Sequence, residues 1–186
     1  MKKRKSNIPI IMAITMIISI IGTILNVYMY IKTTNTFALY IGIISGAVAV
    51  HFLIMHISAP FVFLIFRKKF NYNSFWFMPK KFEKNLYKIM KVKKWKTKVP
   101  SYDSDEYSLE THNVEDVIIN MCHAEVVHEV IFVASYLPII GGFVISHWGV
   151  LILTSFLFSC CHSIFVIIQR YNRPRIVRLY EKRKLC

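Results

Sequence analysis

Glu125 and His128 stand three residues apart in the run Ala124-Glu125-Val126-Val127-His128-Glu129. On a helix that spacing places both side chains on one face, with Glu129 beside them one turn on from Glu125. A carboxylate next to an imidazole fixes its tautomer and raises its basicity, which a general base needs if it is to take a proton from a hydroxyl or an amine. The competing reading is structural, with Glu125 or Glu129 pairing with an arginine to tie two helices together. Candidates for that partner lie in Gln169-Arg170-Tyr171-Asn172-Arg173-Pro174-Arg175. Guanidinium groups clamp phosphate or carboxylate well, so Arg170, Arg173 and Arg175 suit a phospholipid headgroup or a coenzyme A diphosphate. They suit equally a stop-transfer cluster that only fixes topology.

Other chemistries lack their residues. His128-Glu129 has no second histidine to complete His-Glu-x-x-His, and no Cys-x-x-Cys occurs, so no metal is expected. There is no Gly-x-Ser-x-Gly for a serine nucleophile. No histidine is followed five residues later by Asp, which removes the His-x4-Asp pattern of soluble-type glycerolipid acyltransferases. His123, five residues before His128, is turned away from that face and receives no role. His51, His56 and His162 sit within apolar runs, where a lone neutral histidine most often bonds a neighbouring helix. Of these His56, in the cytoplasmic half of its run, is kept as an accessory candidate. Cys122, Cys160, Cys161 and Cys186 lie in apolar helices or on the cytoplasmic side, and no disulfide is expected.

The elements that must position these groups are membrane spans. Ser6 to Ile31, Thr33 to Phe66 and Val130 to Gln169 contain no Asp, Glu, Lys or Arg, and each exceeds the roughly 20 residues a spanning helix needs. The third run is about twice that length and divides near Ser146, His147, Trp148 and Gly149, with Gly141-Gly142 as the rival position. The expected fold is all-α: one polytopic membrane domain over 1–186, with spans at about 8–31, 37–66, 126–146 and 149–169. The first run is a retained span, because it is too long for a cleaved signal and ends in Tyr28, Tyr30 and Lys32 without a small-residue cleavage site.

The net charge of +14 follows from topology. Four Lys or Arg precede the first span, one (Lys32) lies in the first turn, twelve lie between Arg67 and Lys98, and seven follow Gln169. By the positive-inside rule both termini and the loop 67–116 are cytoplasmic. The expected partners are anionic lipid headgroups rather than nucleic acid.

Within that loop aromatic and basic residues interleave from Phe75 through Trp76, Phe77, Lys80, Lys81, Phe82 and Tyr87 to Trp95. Such a mixture suits the headgroup layer, and Lys80 to Lys94 is expected to form a short interfacial helix. An acidic, flexible stretch follows, Tyr102 to Glu110. A new helix begins at Thr111-His112-Asn113, with Asn113 as its cap and Glu115 and Asp116 in its first turn. It runs unbroken into span three. Glu125, His128 and Glu129 therefore enter the membrane from the side to which span four returns Arg170 and Arg173, and the two polar groups are expected at one depth.

Lys93-Lys94-Trp95-Lys96 with Pro100, then Ala124-Glu125-x-x-His128, then Gln169-Arg170-Tyr171-Asn172-Arg173-Pro174-Arg175, resemble the glycosyl-4,4'-diaponeurosporenoate acyltransferase family, small membrane enzymes named for the last step of staphyloxanthin synthesis. The likeness covers roughly Phe75 to Tyr180. Glu129 departs from it, standing where an aromatic residue is expected, so the substrate pocket differs. The family has a relative that is half of a two-component system N-acylating bacterial lipoproteins, and the resemblance thus implies acyl transfer at a membrane more firmly than a carotenoid acceptor.

On this basis the chain is expected to be a multi-pass acyltransferase of the bacterial cell membrane. His128 would be the base, Glu125 would orient it, and Arg170 and Arg173 would hold phosphate or a developing oxyanion. Asn172 and Arg175 would add to the binding set, Lys94, Trp95 and Lys96 would position the donor headgroup, and His56 and Glu129 would be accessory. No cofactor is expected beyond the acyl donor, a phospholipid or an acyl-coenzyme A. A lipoprotein N-acylation component with a partner protein supplying the acyl chain, and a non-catalytic lipid-binding scaffold, are the rival readings.

Overall fold

The computed structural model describes residues 7–99 and 107–184. Lys2, Lys3, Arg4 and Lys5, Pro100, the stretch from Tyr102 to Glu106, and Cys186 lie outside those residues. Among the described residues the secondary structure is helical, with no strand. In chain order the helices are α1 (Ile8–Thr33), α2 (Thr36–Phe66), α3 (Glu83–Ile89), α4 (Val92–Trp95), α5 (Val114–Ala134), α6 (Gly142–Ile145) and α7 (Trp148–Lys184). Four stretches, Ile8–Thr33, Thr36–Phe66, Val114–Ile145 and Trp148–Lys184, are long and apolar enough to cross a bilayer, and the chain is a polytopic membrane protein. It divides into two compact units, one of residues 7–60 and 129–163, the other of residues 61–99, 107–128 and 164–184.

The first unit is built for lipid. Ile10, Ile14, Ile17 and Ile24 of α1 are exposed in the isolated chain, as expected of a surface that hydrocarbon covers. Hydroxyl and amide side chains in the middle of α1 bond within the helix: Thr15, Ser19 and Thr23 each donate to the carbonyl four residues back, and Asn26 donates to that of Gly22. Small residues bring α1 and α2 together. A Cβ at Gly22 would lie 3.3 Å from the Ser45 hydroxyl, one at Gly42 would lie 3.4 Å from Val27, and one at Gly46 would lie 3.6 Å from Thr23, so the backbones approach as closely as helix pairs with small interfacial residues do in bilayers. Ile43 and Ala47 of α2 pack with Leu151 of α7.

Between α5 and α7 the chain turns at the first of the two positions that the sequence offered, near Ser146, whereas Gly141 and Gly142 keep right-handed helical angles. A 3-10 turn over Leu137–Gly141 follows α5, and Ser146, with φ 58°, ends α6 in the left-handed region before α7 starts at Trp148. Gly142 is required here, since a Cβ would come within 2.6 Å of the Trp148 ring.

In the second unit, Arg67 and Lys68 close α2 with φ of 46° and 56°. The single helix expected over Lys80 to Lys94 is instead two short ones. Lys91, with φ 51°, separates α3 from α4; the Trp95 indole N–H takes the Met90 carbonyl at 2.8 Å and the Lys94 N–H bonds the Lys91 carbonyl, which replaces the continuing helical bonds. Helix α5 starts as its cap residue predicts: Asn113 Oδ1 accepts from the Asp116 N–H at 2.8 Å and its amide donates back to Asp116 Oδ2.

Candidate active site

Helix α5 carries Glu125 and α7 carries Arg170 and Arg173, and in the second unit these three side chains meet. Glu125 is 0% exposed. One of its oxygens accepts from Arg170 Nη1 at 2.7 Å, and the other accepts from Arg173 Nη1. A carboxylate removed from water this completely requires paired, hydrogen-bonded partners, and here it has two.

Arg170 also reaches a residue that sequence reasoning left out. Its Nε and Nη2 donate to Glu83 Oε1 at 2.8 and 2.6 Å. Its remaining donors go to backbone, Nη1 to the Trp76 carbonyl at 3.1 Å and Nη2 to the Met78 carbonyl at 3.3 Å. A guanidinium has five N–H groups, and all five of Arg170 are engaged. Arg173, 1% exposed, gives Nη2 to the Phe77 carbonyl at 2.6 Å and lays its guanidinium over the Phe77 ring at 4.7 Å. Three successive carbonyls, Trp76 to Met78, are thus held by two arginines of α7. Glu83, 4% exposed, accepts from the Tyr87 hydroxyl at 2.9 Å through its other oxygen. Burial, and next the bond to this carboxylate, push the Tyr87 phenol above its ordinary pKa.

The cluster therefore contains two carboxylates and two guanidiniums whose charges cancel. The expectation that Arg170 and Arg173 bind substrate meets an obstacle: one has no N–H left over and the other is buried. In this arrangement both arginines tie the segment 76–78 to Glu125 of α5, and Arg170 also ties in α3 through Glu83. Glu83 had a signal in the sequence. It is the first acidic residue of the chain and stands among the twelve cations between Arg67 and Lys98. The three carbonyls had none, because backbone groups carry no side-chain signature.

A second cluster, interleaved with the first on the same stretch of α7, has a different balance. The Arg175 guanidinium lies 3.7 Å from the centre of the Tyr171 ring and Lys96 Nζ lies 4.9 Å from it; Lys96 also donates to Asn172 Oδ1 at 2.5 Å. Tyr87 packs edge-on against the same ring at 5.3 Å. Burial, and next the Arg175 charge, lower the Lys96 pKa, with Tyr171 opposing. Of the expected binding residues, Lys96, Asn172 and Arg175 come together on this aromatic platform. Lys94 is exposed in α4, and Trp95 is tied to Met90.

His128 is half-buried, with its ring stacked on Phe165 at 4.6 Å between centroids and 11° between planes. Flat stacking fixes the plane of the imidazole and leaves its nitrogens on the edge. His56 and Glu129 belong to the other unit, where His56 Nδ1 donates to the Phe52 carbonyl at 2.7 Å. Among the described residues no group of three His, Cys, Asp or Glu side chains converges as a metal site.

Residues 73–182, more than half of the chain, match the family model described as glycosyl-4,4'-diaponeurosporenoate acyltransferase. Glu83, Glu125, His128, Arg170, Arg173 and the Tyr171 platform all lie inside the matched stretch. No curated protein and no solved structure gives a significant match.

Proposed function

The chain belongs to the glycosyl-4,4'-diaponeurosporenoate acyltransferase family, and from that premise we propose that it transfers a fatty acyl chain to a hydroxyl or amine of a lipid-type acceptor at the cytoplasmic face of a bacterial membrane. The observation that carries this reading is the buried Glu83–Arg170–Glu125–Arg173 cluster at the entry of α5 and the exit of α7. It is an expensive construction to keep near hydrocarbon, and it ties α3 and the segment 76–78 to α5, the helix that carries His128.

In the reaction, the acceptor oxygen or nitrogen attacks the acyl carbonyl carbon of the donor while His128 takes its proton. The bond from that carbon to the donor's oxygen or sulfur then breaks, and the imidazolium returns the proton to the departing alkoxide or thiolate. Lys96 and Arg175, two cations on one ring with Asn172 beside them, hold a donor phosphate. Glu125, Arg170 and Arg173 act as positioning residues, which moves Arg170 away from the oxyanion role that the sequence suggested. The positive-inside rule puts this machinery, and both termini, in the cytoplasm.

Glu129 favours an acceptor other than a carotenoid glycoside, because a carboxylate stands at the position where the family resemblance leads one to expect an aromatic contact. An amine on a lipoprotein, with a partner protein supplying the acyl chain, meets that condition.

The test is lipid and lipoprotein mass spectrometry on cells lacking the gene, complemented with wild type or His128→Ala. One acylated species should vanish on deletion and return only with wild type, its mass shift giving the chain and its attachment the acceptor. Restoration by both versions removes His128 as the base, and no change at all favours a non-catalytic lipid-binding scaffold.

A further inference from the structure

In the unit of the candidate site, away from the arginine cluster, Lys68, His112, Asp116, Ile119 and Asn120 line a half-open cavity of about 370 Å³. That lies at the small end of the range for ligand pockets, about 300–1,000 Å³, so it suits a headgroup rather than a nucleotide. Its level is set by the chain. Lys68 comes two residues after the end of α2, and the other four line the first two turns of α5 and the residue before its cap. Lys68 thus follows the charge-free run of α2, and the α5 residues precede the point, near Glu125, where that helix enters the apolar layer.

The polar groups differ in sign across the cavity. Lys68 is a cation with its ammonium on Asn120 Oδ1 at 3.0 Å, which leaves two of its N–H groups for a ligand. Asp116 is an exposed anion whose Oδ2 accepts from Asn113 and whose other oxygen is not used by that bond. His112 and Asn120 add further hydrogen-bonding groups. A polyanion such as coenzyme A would meet one cation and a carboxylate here. A group carrying one phosphate and one ammonium would meet a partner for each.

We propose that this cavity is a binding site for a phospholipid headgroup that combines a phosphodiester with a primary ammonium, Lys68 taking the phosphate and Asp116 the ammonium. The proposal rests on the acyltransfer reading in one respect, that a lipid seated here serves as a substrate. Asn120 and His128 are eight residues apart on α5, about 12 Å along the axis, so a lipid anchored by its headgroup extends its glycerol esters along the helix toward the imidazole.

Binding can be read without turnover by using His128→Ala protein, which keeps the cavity. Full-length protein in nanodiscs of equal parts phosphatidylethanolamine, phosphatidylglycerol and phosphatidylcholine is extracted into detergent, and retained lipids are counted by native mass spectrometry. Phosphatidylethanolamine should be enriched about fivefold over the other two, the size expected of one partly exposed ion pair. Asp116→Asn, which preserves the acceptor for Asn113, should abolish the preference, Lys68→Ala should lower retention of all three lipids, and Glu115→Gln, the same charge change one residue away, should leave the preference intact. Free phosphoethanolamine should displace the lipid only at far higher concentration, since it lacks the chains. Equal retention of the three lipids, or a preference surviving Asp116→Asn, overturns the proposal. A preference that behaves as stated in a protein whose wild type transfers no acyl chain would refute the acyltransfer reading and leave the site standing.

Discussion

Glu125 lies among guanidinium groups, whereas His51, almost as deeply buried, lies among neutral ones. In its own unit His51 Nε2 is 3.1 Å from His162 Nε2, its Nδ1 is 3.5 Å from the Ser135 hydroxyl, and its ring stacks on Phe158 at 3.8 Å. A hydrogen bond between two imidazole nitrogens needs one donor and one acceptor, so at least one ring is neutral. The unit that carries the helix ends gathers four formal charges into a cluster of net zero. The unit made of apolar spans uses hydroxyls and imidazoles. The difference follows from solvent: a charge at mid-bilayer costs several kcal/mol, while at the edge, arginine and carboxylate can pair with their remaining donors on backbone carbonyls.

This contrast has measurable edges. Glu125→Gln keeps the shape and removes the charge, leaving Arg173 buried without a carboxylate and Arg170 with Glu83 alone. Unfolding in detergent should show a loss of about 3–5 kcal/mol, and adding Arg173→Met should recover part of it. Arg170→Lys replaces five directed donors with three, so the Trp76 and Met78 carbonyls lose their partner; a loss of about 2–3 kcal/mol is expected, together with faster proteolysis between residues 75 and 82. In the other unit, His51→Phe should cost about 0.6 kcal/mol, the average for hydrogen bonds between membrane helices, and a loss equal to that of Glu125→Gln would erase the distinction between the two regions. The smallest effect is alkaline. Because the folded state raises the Tyr87 pKa, it keeps the phenol proton where the unfolded chain releases it, and stability is lost as pH rises through the ordinary value. The loss is about 0.4 kcal/mol at pH 10 and grows beyond it, and Tyr87→Phe should flatten that limb of the stability curve.

Much of the fold could be read from the chain because lipid imposes a coarse rule. Charge-free runs longer than a bilayer has depth leave few alternatives, and Asn113 with Glu115 and Asp116 marks the start of α5. The meeting of Glu125 with Arg170 and Arg173 was legible from depth, since both helices bring polar residues to the same level. Partner choice was not, because spacing treats His128, Arg170 and Arg173 as equal claimants on one carboxylate, and the settled arrangement depends on carbonyls of Trp76, Phe77 and Met78 that no residue type announces. The break at Lys91 was hidden for a different reason: Lys is a good helix former, and the bond from the Trp95 indole to the Met90 carbonyl overrides that preference.

The clamp on Trp76 to Met78 also sets an order in time. The carboxylates of Glu83 and Glu125 leave the ribosome 87 and 45 residues before Arg170, so during synthesis both acids must stay hydrated while the segment that ends at Met78 has nothing to hold it. Only when α7 is inserted do the two cations arrive, and then together, on adjacent turns. Final assembly of this unit is therefore a late and nearly all-or-none event, and a chain halted before residue 170 would present quality-control proteases with two acids lacking their arginines and a loose aromatic loop.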